Sequence, residues 1–322
     1  MKDKPLLFCL TSTRNYAWCT RAFLEANTRW ADYVVIVDQM STDGTREMAA
    51  EYSNVVVLDN EDLTYSETKR CEMALNYARS VQGDKILVYL AIDEVLPANF
   101  QKTKDWQKVL LSQHGDVFCL NWANILLDGK HYFGSGKDDM FQIFHDDGVT
   151  PFDNQGKDMH THTLPYPNNG TDYIIKDFPI LHFGYYNVKW KYVKNHYYQM
   201  VDYDKNHGSI ISLHRYYCVI NEKYDSKDIN QGWLYKNFDL LGLVDVTSRP
   251  LLCDYMLGFI KEKGIDQYCR LNIWQPEMLG YLEMKDPRKW YHKILHKYLD
   301  LTQPYRGVIL VRAIDKILKF LV

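Results

Sequence analysis

The sequence predicts an α/β protein: a mixed, mostly parallel sheet flanked by helices, with a helical C-terminal extension. Three observations carry this expectation. Four short apolar runs fall within the first 90 residues, helical segments alternate with them, and helical periodicity takes over from about residue 187. The 322 residues suffice for one large domain with a helical appendage.

The apolar runs are Leu6–Leu10, Tyr33–Val37, Val55–Leu58 and Ile86–Leu90. Each is too short for a helix and rich in Val, Ile or Leu, which predicts buried strands. Between them, Tyr16, Cys19, Phe23 and Ala26 recur at helical spacing, and residues 66–80 ("SETKRCEMALNYARS") are strong helix formers. Strand and helix in alternation imply right-handed crossovers. Residues 101–185 are less regular. Strands are expected at Val117–Leu120, Met140–Phe144 and Ile174–Leu181, with turns at Asp128-Gly129, Gly134–Gly136 and the Pro165/Pro167 pair. Later, "VKWKYVKNHYYQMVDYDKN" and "LLCDYMLGFIKEKG" read as helices. The tail "YRGVILVRAIDKILKFLV" reads as a basic amphipathic helix. Packing on the body is its first expected role, and peripheral contact with an anionic membrane the second.

Composition narrows the function classes. A net charge of −3 gives no electrostatic case for nucleic acid. The seven cysteines are odd in number and form no CxxC pair, which points to reduced thiols rather than disulfides or a zinc knot. The apolar run in "MKDKPLLFCLTSTR" is too short for a signal peptide, and no stretch approaches the roughly 18 apolar residues of a membrane span. A cytoplasmic location is expected. The 25 tyrosines mainly serve the core and the surface.

In an open parallel sheet, ligands bind beyond the carboxyl ends of the strands. The residues at those ends are Thr11 to Arg14, Asp38 and Asp93. In "VVIVDQMSTDGT" a buried strand runs straight into Asp38, whose carboxylate can accept from a uracil imide, a ribose hydroxyl or the N–H groups of its own turn. Ser41, Asp43 and Thr45 fit a turn and a helix cap. In "LAIDEVL", Asp93 offers an oxygen to a hard divalent ion. Arg14, Lys69 and Arg70 are cations suited to a diphosphate or to a solvated helix face. In "DNQGKDMHTHTLP", His160 and His162 alternate and would share a strand face, as two zinc ligands in a hydrolase do, though no third-ligand spacing accompanies them.

The stretch "ADYVVIVDQMSTDGT" resembles the nucleotide-binding signature of family 2 glycosyltransferases, enzymes with the GT-A fold. The resemblance extends back through "TSTRNYAWCTRAFLEA" and forward to "TKRCEMALNYARSVQGDKILVYLAIDEVL", covering about the first 100 residues in order. It implies a GT-A (nucleotide-diphospho-sugar transferase) domain over residues 1–186. Residues 1–100 would be the nucleotide half, 101–186 the acceptor and metal-completing half, and 187–322 a mainly helical region. The implied reaction moves a hexose or N-acetylhexosamine from a nucleotide sugar, UDP-linked, to a hydroxyl of a glycan or lipid-linked acceptor. Inversion is expected, within cell-surface glycan synthesis, either in the cytoplasm or peripheral to the inner face of the membrane.

By the same resemblance, Thr11, Arg14, Asp38, Arg70 and Ile92 serve the nucleotide. Asp93, with His182 of "ILHFGYYN", holds Mn²⁺ or Mg²⁺. Ala91 stands where the family's D-x-D element has its first acid, which puts metal dependence in question. The catalytic set is Asp93, Asp158 and His160. Asp158 is the expected base, because the family's His-Glu pair is replaced by Met159-His160 and Asp153, Asp158 and His160 are the candidates. Two alternatives stay open: a non-catalytic sugar-nucleotide binder, and a zinc hydrolase built on His160 and His162.

Overall fold

The structure is a computed structural model that describes residues 4–64, 66–134, 140–152, 162–167, 171–218, 225–235 and 251–321. The first half runs β1 (Leu6–Thr13), α1 (Ala17–Asn27), β2 (Tyr33–Asp38), α2 (Thr45–Ala49), β3 (Val55–Asp59), α3 (Glu67–Ser80), β4 (Lys85–Tyr89), β5 (Glu94–Val95) and α4 (Lys104–Leu110). Then come β6 (Val117–Leu120), β7 (Trp122–Ile125), β8 (His131–Gly134), β9 (Met140–His145), β10 (Asp172–Ile174) and β11 (Ile180–His182). The later elements are α5 (Val188–Asp204), α6 (Ile210–Tyr217), β12 (Lys227–Asp228), α7 (Leu252–Lys263), α8 (Ile265–Tyr268), α9 (Pro276–Leu282), α10 (Trp290–Thr302) and α11 (Ile309–Leu321).

These elements form two compact units. One comprises the described parts of Met1–Tyr186 and Ser226–Asp245; the other comprises those of Asn187–Asp225 and Val246–Val322. In the first, seven strands lie in the order β10-β6-β9-β4-β1-β2-β3. Every pairing among them is parallel except those of β9, which runs antiparallel between β4 and β6. The result is a mixed, mostly parallel sheet flanked by helices. Period-two alternation sorts the strands onto two cores. Leu7, Cys9, Val34, Ile36, Ile86 and Val88 join Phe23 and Leu24 of α1 and Trp106 of α4 on one face. Phe8, Leu10, Val35, Val37 and Leu87 join Cys71, Ala74, Leu75 and Ala78 of α3 on the other.

A second, five-stranded sheet runs β12-β8-β7-β11-β5. Its formation corrects the expectation of one strand over Ile174–Leu181. The chain pairs with β6 only to Ile174, then crosses to pair with β7 from Ile180. The crossing is fixed by Asp105, whose Oδ2 accepts from the backbone N–H groups of Lys176 (2.8 Å) and Asp177 (3.0 Å), just before Pro179. A carboxylate that takes two N–H groups removes them from any ladder. Lys227 and Asp228 pair with β8, so a short stretch of the expected helical region belongs to the first unit's sheet.

The second unit is helical except for turns and short loops among its described residues. Arg215 of α6 grips Asp315 of α11 through Nε (2.9 Å) and Nη2 (3.0 Å), and Leu318 packs on Ile211, Leu295 and Leu299. Ile309, Leu310 and Ile317 of that helix are exposed. No helix among the described residues is long and apolar enough to cross a membrane.

A buried histidine pair joins α6 to α10. His296 Nε2 lies 2.7 Å from the Arg270 carbonyl and must donate to it, so its Nδ1 keeps the lone pair and accepts from His214 Nδ1 at 3.1 Å. Burial alone would lower His214, but the Asp300 carboxylate, 3.1 Å from its Nε2, and Cys218 raise it to about 9. His296, desolvated and beside that charge, is pushed down to about 4. A raised histidine stabilises fully below its ordinary value of 6.5 and loses that contribution as pH climbs to about 9. A lowered one stabilises above 6.5 and loses its contribution as pH falls toward about 4. The unit is therefore expected to be most stable near neutrality. Melting temperatures measured across this range should fall on both sides, and His214→Ala should flatten the alkaline limb.

Candidate functional site

Strands β2 and β4 flank β1 and run parallel to it, with Thr13 level with Asp38 and Leu10 level with Tyr89. Their carboxyl ends therefore share one edge. Strands two positions apart stand about 10 Å from each other, so the Asp38 and Asp93 loops rise from the same lip on either side of β1.

The Asp38 side is tied inward. Asp38 is 0 % exposed. Its Oδ1 accepts from the Ser41 N–H (2.9 Å) and from Arg46 Nη1 (2.9 Å), and its Oδ2 accepts from the Ser41 hydroxyl. Arg46 also reaches Asp59 at 2.6 Å. The hydroxyl-rich turn that follows staples the β1–α1 loop. Asn15 N–H donates to Ser41 Oγ (2.8 Å), Thr42 N–H to Asn15 Oδ1 (2.7 Å), Tyr16 N–H to Thr45 Oγ1 (3.2 Å) and Ala17 N–H to Asp43 Oδ2 (2.9 Å). Asp43 thus satisfies an open N–H at the start of α1. Gly44 precedes α2 at φ +96°, a left-handed conformation that a side chain would strain.

The cations and threonines expected at this edge lie as follows. Thr11 is fully buried on β1, and its hydroxyl has no partner among the described residues. Arg14 donates to the Leu63 carbonyl at 3.5 Å. Arg70 is buried in the first turns of α3 and donates through Nε to Ser66 C=O at 3.2 Å, whereas Lys69 is an exposed partner of Asp62. Ile92 is a core residue whose carbonyl accepts from the Cys19 thiol at 3.3 Å.

Beyond β4, residues 91–94 make a tight turn. Glu94 N–H donates to Ala91 C=O (2.8 Å), and the Glu94 carboxylate accepts from Ala91 N–H (2.8 Å). Glu94 thus caps the turn and Asp93 sits at its apex. Strand β5 then pairs antiparallel with β11, placing Glu94 opposite His182. The Phe183 N–H donates to the Asp93 carbonyl at 2.8 Å, locking the two segments together. Asp93 Oδ2 and His182 Nε2 then face each other at 3.7 Å, with Asp93 2 % exposed.

The histidine's tautomer follows from its other neighbour. Asn124 Nδ2 donates to the Phe133 carbonyl (3.3 Å), which turns Asn124 Oδ1 toward His182 Nδ1 at 2.7 Å. An amide oxygen only accepts, so His182 Nδ1 carries the proton. In the neutral form of His182 that tautomer leaves the Nε2 lone pair directed toward Asp93 Oδ2. Trp122 lies against the imidazole with ring centroids 5.2 Å apart. One carboxylate oxygen and one oriented imidazole nitrogen are a fitting donor pair for a divalent cation.

Asn124 and Gly184 were not legible as site residues. Asn124 enters because β7 and β11 pair with Asn124 level with His182. A Cβ on Gly184 would come within 2.6 Å of His182 Nε2 and 3.3 Å of Asp93 Oδ2. The glycine two residues after His182 was the available signal. Asp158 and His160 lie outside the described residues, as does Asp153, while His162 is exposed and stacked on Tyr166.

Sheet and rim together define a mixed α/β protein with polar groups gathered beyond the carboxyl ends of parallel strands. No family model matches the sequence, and no curated protein does. Among solved structures the chain is similar to S. aureus TarS 1–349, at 12 % identity and a TM-score of 0.42, over 97 % of this chain and 90 % of that one. A longer S. aureus TarS structure matches at 13 % identity with the same score, over 97 % of this chain and 55 % of its own. Glucosyl-3-phosphoglycerate synthase from Mycobacterium tuberculosis, in complex with Mn²⁺, UDP and phosphoglyceric acid, matches at 16 % identity and a TM-score of 0.25, over 39 % of this chain and 44 % of that one.

Proposed function

We propose that the chain is a GT-A-type glycosyltransferase that moves a hexose or N-acetylhexosamine from a UDP-linked donor to an acceptor hydroxyl. The observation that carries this reading is the meeting of Asp93 Oδ2 and His182 Nε2 at 3.7 Å beside the carboxyl edge of the sheet. Such a pair can hold a divalent cation, and a cation at this edge suits an anionic ligand such as a diphosphate. Asp93 and His182 would hold Mn²⁺ or Mg²⁺, which when bound supplies Lewis-acid stabilisation of the departing diphosphate.

The chain's own residues do the rest. Asn124 accepts from His182 Nδ1, so in neutral His182 the lone pair available to a metal is on Nε2. Glu94 holds the turn that presents Asp93. Asp38 organises the lip on which the nucleoside rests, through Ser41 and Arg46. Arg14 and Arg70 supply positive charge toward the phosphates. Asp158 is assigned as the base that takes the acceptor's proton, with His160 its alternative. A protein that binds the donor without turning it over shares every one of these features except the base.

A panel of nucleotide sugars with Mn²⁺ separates the readings. One UDP-sugar is expected to raise the melting temperature and to be consumed when acceptor is present. Stabilisation without consumption would favour the non-catalytic binder, and stabilisation by none would remove the proposal.

A further inference from the structure

We infer that Asp84, His114 and His145 form a second metal site, one for zinc, at the edge of the sheet opposite the proposed catalytic lip. Three separate segments build it. Asp84 immediately precedes β4, and its carbonyl accepts from Leu6 N–H at 2.8 Å. His145 ends β9, and because that strand is antiparallel its last residue pairs with Ile86 at the beginning of β4. His114 lies in the loop after α4. That loop is held by Gly115 N–H donating to His145 C=O (2.9 Å) and His145 N–H donating to Asp116 C=O (3.0 Å). Gly115, at φ +92°, permits the tight turn.

The side chains converge on one oxygen. His114 Nε2 stands 2.8 Å and His145 Nε2 2.9 Å from Asp84 Oδ1, with the two rings edge to face at 4.9 Å. The three ligand atoms lie within 4.8 Å of one another. Hydrogen-bond logic then fixes His145, which is 3 % exposed. Ser112 Oγ stands 2.6 Å from the Val109 carbonyl, which can only accept, so the hydroxyl proton is committed there. Ser112 Oγ, 2.9 Å from His145 Nδ1, therefore accepts, and His145 Nδ1 carries a proton. In neutral His145 the lone pair of Nε2 points at a carboxylate oxygen 2.9 Å away. Two acceptors at that range need a positive charge between or upon them.

The donor set favours a transition ion over Mg²⁺ or Ca²⁺, since two imidazoles and one carboxylate are zinc ligands. Ser112 on Nδ1 is the outer partner that metal-bound histidines use to fix their tautomer. Tetrahedral zinc with bonds of about 2.0–2.1 Å spaces its ligand atoms by roughly 3.3 Å, a few tenths beyond the two N···O distances here. The His114 side chain, 60 % exposed, has room to give that. Solvent reaches the cluster through His114 and Asp84, leaving a fourth position for water. Bound there, the ion would tie β4, β9 and the loop after α4 into one clasp, remote from the lip that carries Asp93.

The full chain, stripped with a chelator, is titrated with Zn²⁺ and, as a coloured substitute, Co²⁺. One equivalent of zinc should bind and raise the melting temperature, with Co²⁺ giving the visible absorption of a four-coordinate site. His114→Ala, an exposed change that leaves the core intact, should weaken zinc at least about tenfold, and Ser112→Ala should weaken it about tenfold through the outer partner. His145→Ala should abolish binding. Asp93→Ala and His182→Ala should retain it, which separates this site from the catalytic proposal. No stoichiometric zinc, zinc unaffected by His114→Ala and His145→Ala, or a His145 imidazolium at neutral pH with no metal affinity would overturn the inference.

Discussion

Replacing Asp93 with alanine is expected to lower sugar transfer by about 10³-fold or more, while the protein keeps its fold. The rate loss follows if the carboxylate supplies one of the two donors that anchor the cation under the leaving diphosphate; stabilisation of developing charge in a dry site is worth several kcal/mol. The fold should be indifferent, because the turn is held by main-chain and Glu94 contacts. Glu94 N–H still reaches Ala91 C=O, the Glu94 carboxylate still accepts from Ala91 N–H, and Phe183 N–H still reaches the carbonyl of residue 93. Donor turnover and thermal denaturation of the purified variant check both halves. Unimpaired transfer would remove the metal assignment.

Gly184→Ala is expected to lower both Mn²⁺ affinity and transfer by about 10- to 100-fold, although both donor side chains are retained. The new Cβ would lie 2.6 Å from His182 Nε2 and 2.9 Å from its Cε1. Such contact displaces the imidazole from the position Asn124 gives it, and shifts of this kind at a metal-binding histidine cost that range. No left-handed backbone is recorded at Gly184, so alanine should be tolerated there apart from this collision. Mn²⁺ titration of the variant reads the effect directly. Affinity equal to that of the parent protein would mean that the lone pair of His182 has no part in cation binding.

The first 90 residues were legible because strand and helix alternate there and each strand is apolar on both faces. A chain with Leu7 and Phe8 buried in opposite cores has little choice but a central position in a covered sheet. The middle of the chain was less legible because its geometry is set by distant partners. Nothing in "YIIKDFPIL" reveals that Asp105 will take two of its N–H groups and divert it from one sheet to another. Likewise, β9 enters the sheet antiparallel between β4 and β6, a register set by tertiary pairing rather than local pattern. The stretch around Asp38, "VVIVDQMSTDGT", shows the same limit within the site. Its residue types allowed Asp38 to face a ligand or its own turn, and the hydrogen bonds to Ser41 and Arg46 occupy both oxygens from within. His182 could be singled out by resemblance, but its tautomer depends on Asn124, 58 residues earlier, and on a carbonyl of a third strand.

The most direct measurement is anomalous scattering from crystals grown with Mn²⁺ and UDP. A peak within bonding distance of both Asp93 Oδ2 and His182 Nε2, with the UDP diphosphate against it, is the predicted result. UDP seated on the lip with no ion near either atom, or Mn²⁺ and UDP at separate places, would contradict the account.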